Sequence, residues 1–112
     1  MRGVAEALSV KLMAVTYGLT RLMFSTSFFV DMLNGGAGAD TLIGGTGDDL
    51  YTVDNAADQV IEAAGEGVDT VQTSLHHTLA ANVENLVLTG GGNRSGTGNA
   101  LDNTLTGNSG NN

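Results

Sequence analysis

The sequence predicts an all-β spiral in which short strands alternate with glycine-rich turns, preceded by one amphipathic helix. Three observations carry that expectation. Asp31, Asp40, Asp49 and Asp58 recur every nine residues. Two places after each stands a large apolar or aromatic side chain: Leu33, Leu42, Tyr51 and Val60. Between them, the stretch NGGAGADTLIGGTGDD (34–49) places six glycines and three aspartates in sixteen positions, as the nonapeptides GGAGADTLI and GGTGDDLYT laid end to end.

At 112 residues the chain has room for one modest core and is treated as a single unit. It contains no Cys and no Pro, so neither a disulfide framework nor a thiolate metal site is available. Any cross-link must come from carboxylates, amides or carbonyls. From Asp31 onward eleven acidic residues face Arg94 alone, a charge of about −10 that repels nucleic acid and anionic membrane. Cations are therefore expected to compact this region. No uncharged run approaches the roughly eighteen apolar residues of a membrane span. An HExxH zinc motif is missing, Gly90-Gly91-Gly92 lacks the lysine of a phosphate loop, and no nucleophile, base and orienting group occur together. No active site is expected in this chain.

Residues 1–30 differ in character from the rest. Val4, Leu8, Leu12, Val15, Leu19 and Leu22 recur at three- and four-residue intervals, the spacing of an amphipathic helix. That helix is expected to cap the first coil near Phe28, Phe29 and Leu33. A targeting segment is the alternative, because residues 12–20 form an uncharged, mainly apolar run after Lys11, although Glu6 and Arg21 flank it. Residues 31–112 are expected to form the repeat region. A fifth copy, AGEGVDTVQ (64–72), follows after a two-residue slip and keeps Gly65, Gly67, Asp69 and Val71 in phase. The pattern thins over 74–97 and resumes at Gly98, with Asn103 in the aspartate slot and Leu105 in the apolar one. Asn112 falls on the sixth position of another copy, as expected of a fragment of a longer repeat array.

The unit reads GGxGxDxUx, with U a large apolar residue. Three residues around U suit a short strand with its central side chain turned inward. The six residues GGxGxD suit a turn, in which glycines accept φ > 0 and aim successive carbonyls to one side. Gly35, Gly36 and Gly38 with Asp40, and Gly44, Gly45 and Gly47 with Asp49, are thus candidate metal-binding loops. Asp31 and Asp58 have the aspartate without the glycines. An all-oxygen site of carboxylates and carbonyls suits Ca²⁺ better than Mg²⁺, which demands a tight octahedron and holds its waters. If two nonapeptides make one coil, Asp40 shares an edge with Asp58, and Asp49 shares the other with Asp31. Strands about 4.8 Å apart then stack like charges well inside a Debye length of about 10 Å.

The tandem GGAGADTLIGGTGDDLYT resembles the hemolysin-type calcium-binding repeats of RTX proteins, whose repeat is described by this same nonapeptide. The stretches VDNAADQVIEAAGEGVDTVQTSL, ANVENLVLTG and GTGNALDNTLTGNSGNN resemble the degenerate parts of such arrays, so the likeness covers residues 31–112. It implies a parallel β-roll (a β-helix or solenoid), Ca²⁺ held by Asp carboxylates and loop carbonyls, and a secreted bacterial parent exported by type I secretion machinery. The alternative is a structural or adhesive repeat segment of a surface protein, stiffened by calcium. Asp48, Asp54, Glu62, Glu66 and Asp102 read as solvated surface charges, and His76-His77 as surface or strand residues. The Asn residues at 82, 85, 93, 99 and 103 suit turn corners and left-handed conformations.

Overall fold

A computed structural model describes residues 12–17, 20–25 and 31–112. The described residues form strands and turns only: β1 (Leu12–Tyr17), β2 (Thr20–Ser25), β3 (Met32–Asn34), β4 (Asp40–Ile43), β5 (Leu50–Val53), β6 (Gln59–Ile61), β7 (Thr70–Thr73), β8 (His77–Thr78), β9 (Asn85–Leu88), β10 (Gly96–Thr97) and β11 (Thr104–Thr106). Each repeat strand is two to four residues long because glycine-rich or Asn-rich turns interrupt the chain at that period. Alternate strands go to different sheets. One sheet runs β1-β2-β4-β6, the second β11-β9-β7-β5-β3, and β8 pairs with β10 separately. All repeat-to-repeat pairings are parallel. The architecture is the β-solenoid expected from the period, with about four coils.

Strand alternation turns every second side chain inward. In the larger sheet the register aligns Leu33, Tyr51, Val71, Leu86 and Leu105 in one column, with coil lengths of 18, 20, 15 and 19 residues. The first four are buried, whereas Leu105 is 48% exposed. Across the interior Leu42 stacks on Val60, and Val53, Leu79, Val83 and Leu88 complete the core. Aliphatic side chains at single inward positions leave a core one residue wide, so burial depends on a neighbouring coil above and below.

The helix expected within residues 1–30 is corrected where that segment is described. Residues 12–17 and 20–25 are strands, paired antiparallel from Leu12↔Ser25 to Tyr17↔Thr20. The other residues of that segment lie outside the described ones. Short apolar runs fit either period, and here β2 joins β4 in parallel, Arg21↔Asp40 to Phe24↔Ile43, giving its backbone groups a sheet partner. The strand pair thus extends the sheet beyond β4.

Burial sets the cost of truncation. Leu42→Ala, at a fully buried position, is expected to cost about 2–5 kcal/mol in calcium-saturated denaturant unfolding. Leu105→Ala is expected to change stability by less than about 1 kcal/mol. Equal losses at the two positions would contradict the difference in burial between them.

Candidate metal centres

The turns are built by glycines with two different duties. Gly36, Gly38, Gly45 and Gly47 hold φ of 79°, 96°, 79° and 97°, a region that side chains with a Cβ rarely enter. The first glycine of each unit is needed for space. A Cβ at Gly44 would run into the Asp49 carboxylate and the Tyr51 hydroxyl, and one at Gly35 into the Asp40 carboxylate. Each turn therefore folds around the carboxylate that closes it.

Those carboxylates form a ladder along one edge of the solenoid. The Asp31 amide donates to Asp49 Oδ1 (3.0 Å), Asp49 to Asp69 Oδ1 (2.9 Å) and Asp69 to Glu84 Oε1 (2.8 Å). The carbonyls of Asp31, Asp49, Asp69 and Glu84 in turn accept the amides of Leu50, Thr70, Asn85 and Thr104, each in the following coil. On the other edge, Asp40 donates its amide to Asp58 Oδ1 at 2.8 Å. Asp31 and Asp49 thus share one edge, and Asp40 and Asp58 the other, as the coil length requires. Asp40, the first residue of β4, and Asp49, just before β5, are nine residues apart in the chain and serve strands of different sheets.

Two carboxylate groups gather, with one oxygen of each residue within 4.8 Å of the others: Asp40, Asp54 and Asp58, and Asp49, Glu62 and Asp69. In the first, Asp58 Oδ2 accepts the amides of Asp54 and Asn55, each at 3.2 Å. Both oxygens of buried Asp40 remain without a hydrogen-bond donor. In the second, Asp49, Glu62 and Asp69 are all buried, and Asp49 Oδ2, Glu62 Oε1 and Asp69 Oδ2 have no donor. Burying an anionic oxygen without a partner is costly. Charged carboxylates at such distances also repel, by about 3 kcal/mol per pair at an effective dielectric of about 20. A donor set made wholly of oxygen, with orphaned buried acceptors, fits Ca²⁺.

The acidity of the second group reflects the same strain. Burial, reinforced by the neighbouring carboxylates, pushes Asp49 up to about 7 even though the Asp31 amide pulls the other way. Burial raises Glu62 to about 8, against the lowering effect of the Tyr51 hydroxyl, and raises Asp69 to about 6. Tyr51 is pushed far above its ordinary range by burial and by its 2.5 Å hydrogen bond to Glu62 Oε2.

Several of these residues escape the nine-residue template. Glu62 was expected to be a solvated surface charge and is instead 7% exposed. The signal was strand alternation: Val60 points inward, so Glu62 two places later does too. Asp69 lay in the recognised fifth copy without being counted as a ligand. Glu84 stands two residues before Leu86 as Asp49 does before Tyr51, but a coil of 15 residues and a Glu in place of Asp hid it. Asp54 is exposed, as expected of a surface charge, yet joins the first group.

The asparagine coils are chemically different. Asn99 Nδ2 donates to the carbonyls of Ala80 and Val83, both at 2.7 Å, while its Oδ1 accepts from Leu101 and Asn103. Asn108 repeats the pattern on Thr89 and Gly92, with Gly110 and Asn112 as donors. Asn103 fills the aspartate slot as an amide donor to the Val83 and Glu84 carbonyls. Among the described non-glycine residues, Asn82 alone has positive φ, at 69°, so the Asn99 and Asn108 turns are not the glycine turn. His76 Nδ1 accepts the Ser95 amide, and burial lowers the pKa of His77 in β8.

These shifts have a definite sign. Without an ion, Asp49, Glu62 and Asp69 hold protons in the folded chain at pH values where the unfolded chain, with ordinary values of 3.8 and 4.5, has released them. Their contribution to ion-free stability is fully present below about pH 4 and is lost as pH rises through 6 to 8. Calcium needs the deprotonated carboxylates, so protons and calcium compete for this group. In chelator, far-UV circular dichroism is expected to show more β structure at pH 4 than at pH 8, because the stabilising protons are lost between the two. More β structure at pH 8 than at pH 4 would contradict the shifts.

Comparison with known proteins agrees with this geometry. The RTX calcium-binding nonapeptide repeat matches residues 26–60 and 97–112, in four copies. Two proteins of Rhizobium meliloti (strain 1021) are similar. Endo-1,3-1,4-beta-glycanase ExsH is 43% identical over 103 residues, covering 83% of this chain and 22% of that protein. Endo-1,3-1,4-beta-glycanase EglC is 36% identical over 100 residues, covering 80% of this chain and 21% of its own length. The chain therefore spans about a fifth of the length of these curated relatives. No solved structure gives a significant match. With phase-locked GGxGxDxUx units, parallel coils and this family match together, the chain carries RTX calcium-binding nonapeptide repeats at residues 26–60 and 97–112.

Proposed function

We propose that this chain is a calcium-triggered folding module of a larger secreted protein, and that Ca²⁺ enters between carboxylates of successive coils. The observation that carries this reading is the pair of carboxylate groups whose buried oxygens have no hydrogen-bond donor. Asp40, Asp49, Asp58 and Asp31, with the glycine turns 35–38 and 44–47, supply the repeat positions, and Asp69 continues the series. Extracellular calcium modules bind at about 10⁻⁴ to 10⁻³ M, far above cytosolic calcium. The chain then stays unfolded during synthesis and export by a type I route, and folds outside the cell.

Relatives named as endoglycanases support a parent enzyme over an adhesive rod, with the catalytic part outside this chain. The reading also accounts for the acidic balance, since a net charge of −8 opposes compaction until cations arrive.

Far-UV circular dichroism tests it. In chelator the chain is expected to be largely disordered, and millimolar calcium to bring a β spectrum, with calorimetry giving the number of ions. Identical spectra in both conditions, or no heat of binding, would overturn the proposal.

A further inference from the structure

We propose that Asp49, Glu62 and Asp69 form a dedicated three-carboxylate cation centre inside the solenoid, in which Glu62, a residue outside the nonapeptide, is a direct ligand and Tyr51 is its positioning residue. The inference rests on the calcium reading above and adds to it a ligand, a supporting group and a reason for the break in the repeat.

The break is the two-residue slip between the fourth and fifth copies, which lengthens one coil to 20 residues. It retains Glu62-Ala63 ahead of AGEGVDTVQ. In the parallel register Ile43 lies opposite Ile61, so Glu62 follows in line with Gly44 of the preceding coil. Gly44 has no side chain to offer, and the space beside it is taken by the Asp49 carboxylate and the Tyr51 hydroxyl. Glu62, which has a side chain where Gly44 has none, meets that hydroxyl with its own carboxylate. An unbroken nonapeptide would put glycine there as well and leave the centre with two carboxylates.

Hydrogen bonding then divides each carboxylate into a fixed oxygen and an available one. Asp49 Oδ1 is held by the Asp31 amide and Asp69 Oδ1 by the Asp49 amide. Glu62 Oε2 accepts from the Tyr51 hydroxyl, which itself accepts the Gly44 amide at 2.8 Å. The opposite oxygens, Asp49 Oδ2, Glu62 Oε1 and Asp69 Oδ2, are buried and have no donor. Asn82 Nδ2 clamps the Glu62 carbonyl at 3.0 Å from the following coil, so the residue is fixed at both backbone and side chain. Three preoriented anionic oxygens, removed from water, call for a small hard cation of high charge: Ca²⁺ in use, a lanthanide as probe. The Asp40, Asp54 and Asp58 group differs, because Asp54 is exposed and Asp58 spends both oxygens on amides.

Tyr51 also makes the centre observable. The chain has no Trp and only one other tyrosine, Tyr17. A Tb³⁺ ion on Glu62 lies next to the Tyr51 ring, and energy transfer from an excited phenol falls so steeply with distance that it reports such an ion selectively. The experiment titrates Tb³⁺ into the full chain, excites tyrosine, reads terbium emission and follows uptake in parallel by calorimetry. Wild type is expected to give emission that saturates with one ion and is displaced by excess calcium. Tyr17→Phe is expected to keep it. Tyr51→Phe is expected to abolish it while ions still bind, about tenfold more weakly at this centre, as for loss of a group that orients a ligand. Glu62→Gln, which preserves volume and the acceptor for Tyr51, is expected to weaken the emitting site at least about tenfold, since ligand charge sets calcium affinity. Glu66→Gln is expected to leave it unchanged. Emission that survives Tyr51→Phe, an unaltered titration in Glu62→Gln, or ion uptake without any tyrosine-sensitised emission in the wild type would overturn this centre alone. Absence of all ion uptake would overturn the calcium reading beneath it. If circular dichroism in saturating calcium shows Glu62→Gln unfolded, the Tyr51→Phe titration decides, because that variant keeps all three carboxylates.

Discussion

Stacking one coil on the next forces carboxylates of like charge together, and the rest of the structure is arranged around that conflict. The register that buries Leu33, Tyr51, Val71 and Leu86 in one column places Asp31, Asp49, Asp69 and Glu84 in another, two residues earlier in each coil. The apolar column contributes about 1.5–3 kcal/mol for each large side chain fully buried. Repulsion of about 3 kcal/mol per close carboxylate pair is of the same size. Hydrophobic burial and carboxylate repulsion are therefore closely matched at neutral pH. Protons or cations would relieve that repulsion, and the raised pKa values of Asp49, Glu62 and Asp69 favour their protonated forms in the folded, ion-free chain.

The two halves of the ladder meet this conflict by different chemistry. Where the slot holds Asp, the side chain has acceptors alone, and a cation is the natural donor-side partner. Where it holds Asn, as at Asn103, the amide provides its own donors and reaches the Val83 and Glu84 carbonyls directly. Asn99 and Asn108, four residues ahead of Asn103 and Asn112, also donate to carbonyls of the preceding coil. Exchanging carboxylate for amide in the slot thus gives coils whose slot side chain is satisfied by hydrogen bonds within the chain.

Much of this was legible in the sequence because a strict period leaves few architectures. Nine residues from Asp to Asp, with an apolar residue two places on, gave the spiral, the edge shared by Asp40 and Asp58, and the inward column. What the period could not convey were the exceptions to it. Glu62 sits inside the slip, Glu84 closes a coil of 15 residues, and both use a longer side chain to reach the edge that Asp reaches elsewhere. Local alternation, with Val60 then Glu62 and Glu84 then Leu86, carried the information that the nine-residue template discarded. The strands at 12–17 and 20–25 were missed for another reason. Their leucines and valines satisfy a helical spacing, and only the open edge of β4, a tertiary feature, selects the extended form.

The central claim is that the ion lies between coils, so that carboxylates one coil apart act together and those adjacent in sequence act separately. A double-mutant cycle on the calcium-dependent part of stability measures this directly, with Asp→Asn changes at 40, 49 and 58. Distant sites add within about 0.3–0.5 kcal/mol, whereas ligands of one centre couple. The account predicts that Asp40→Asn with Asp58→Asn costs little more than Asp40→Asn alone, because one lost ligand has already disabled that edge. Asp40→Asn with Asp49→Asn is predicted to be nearly additive, since each removes an ion from a different edge. Coupling between 40 and 49, with additivity between 40 and 58, would contradict it.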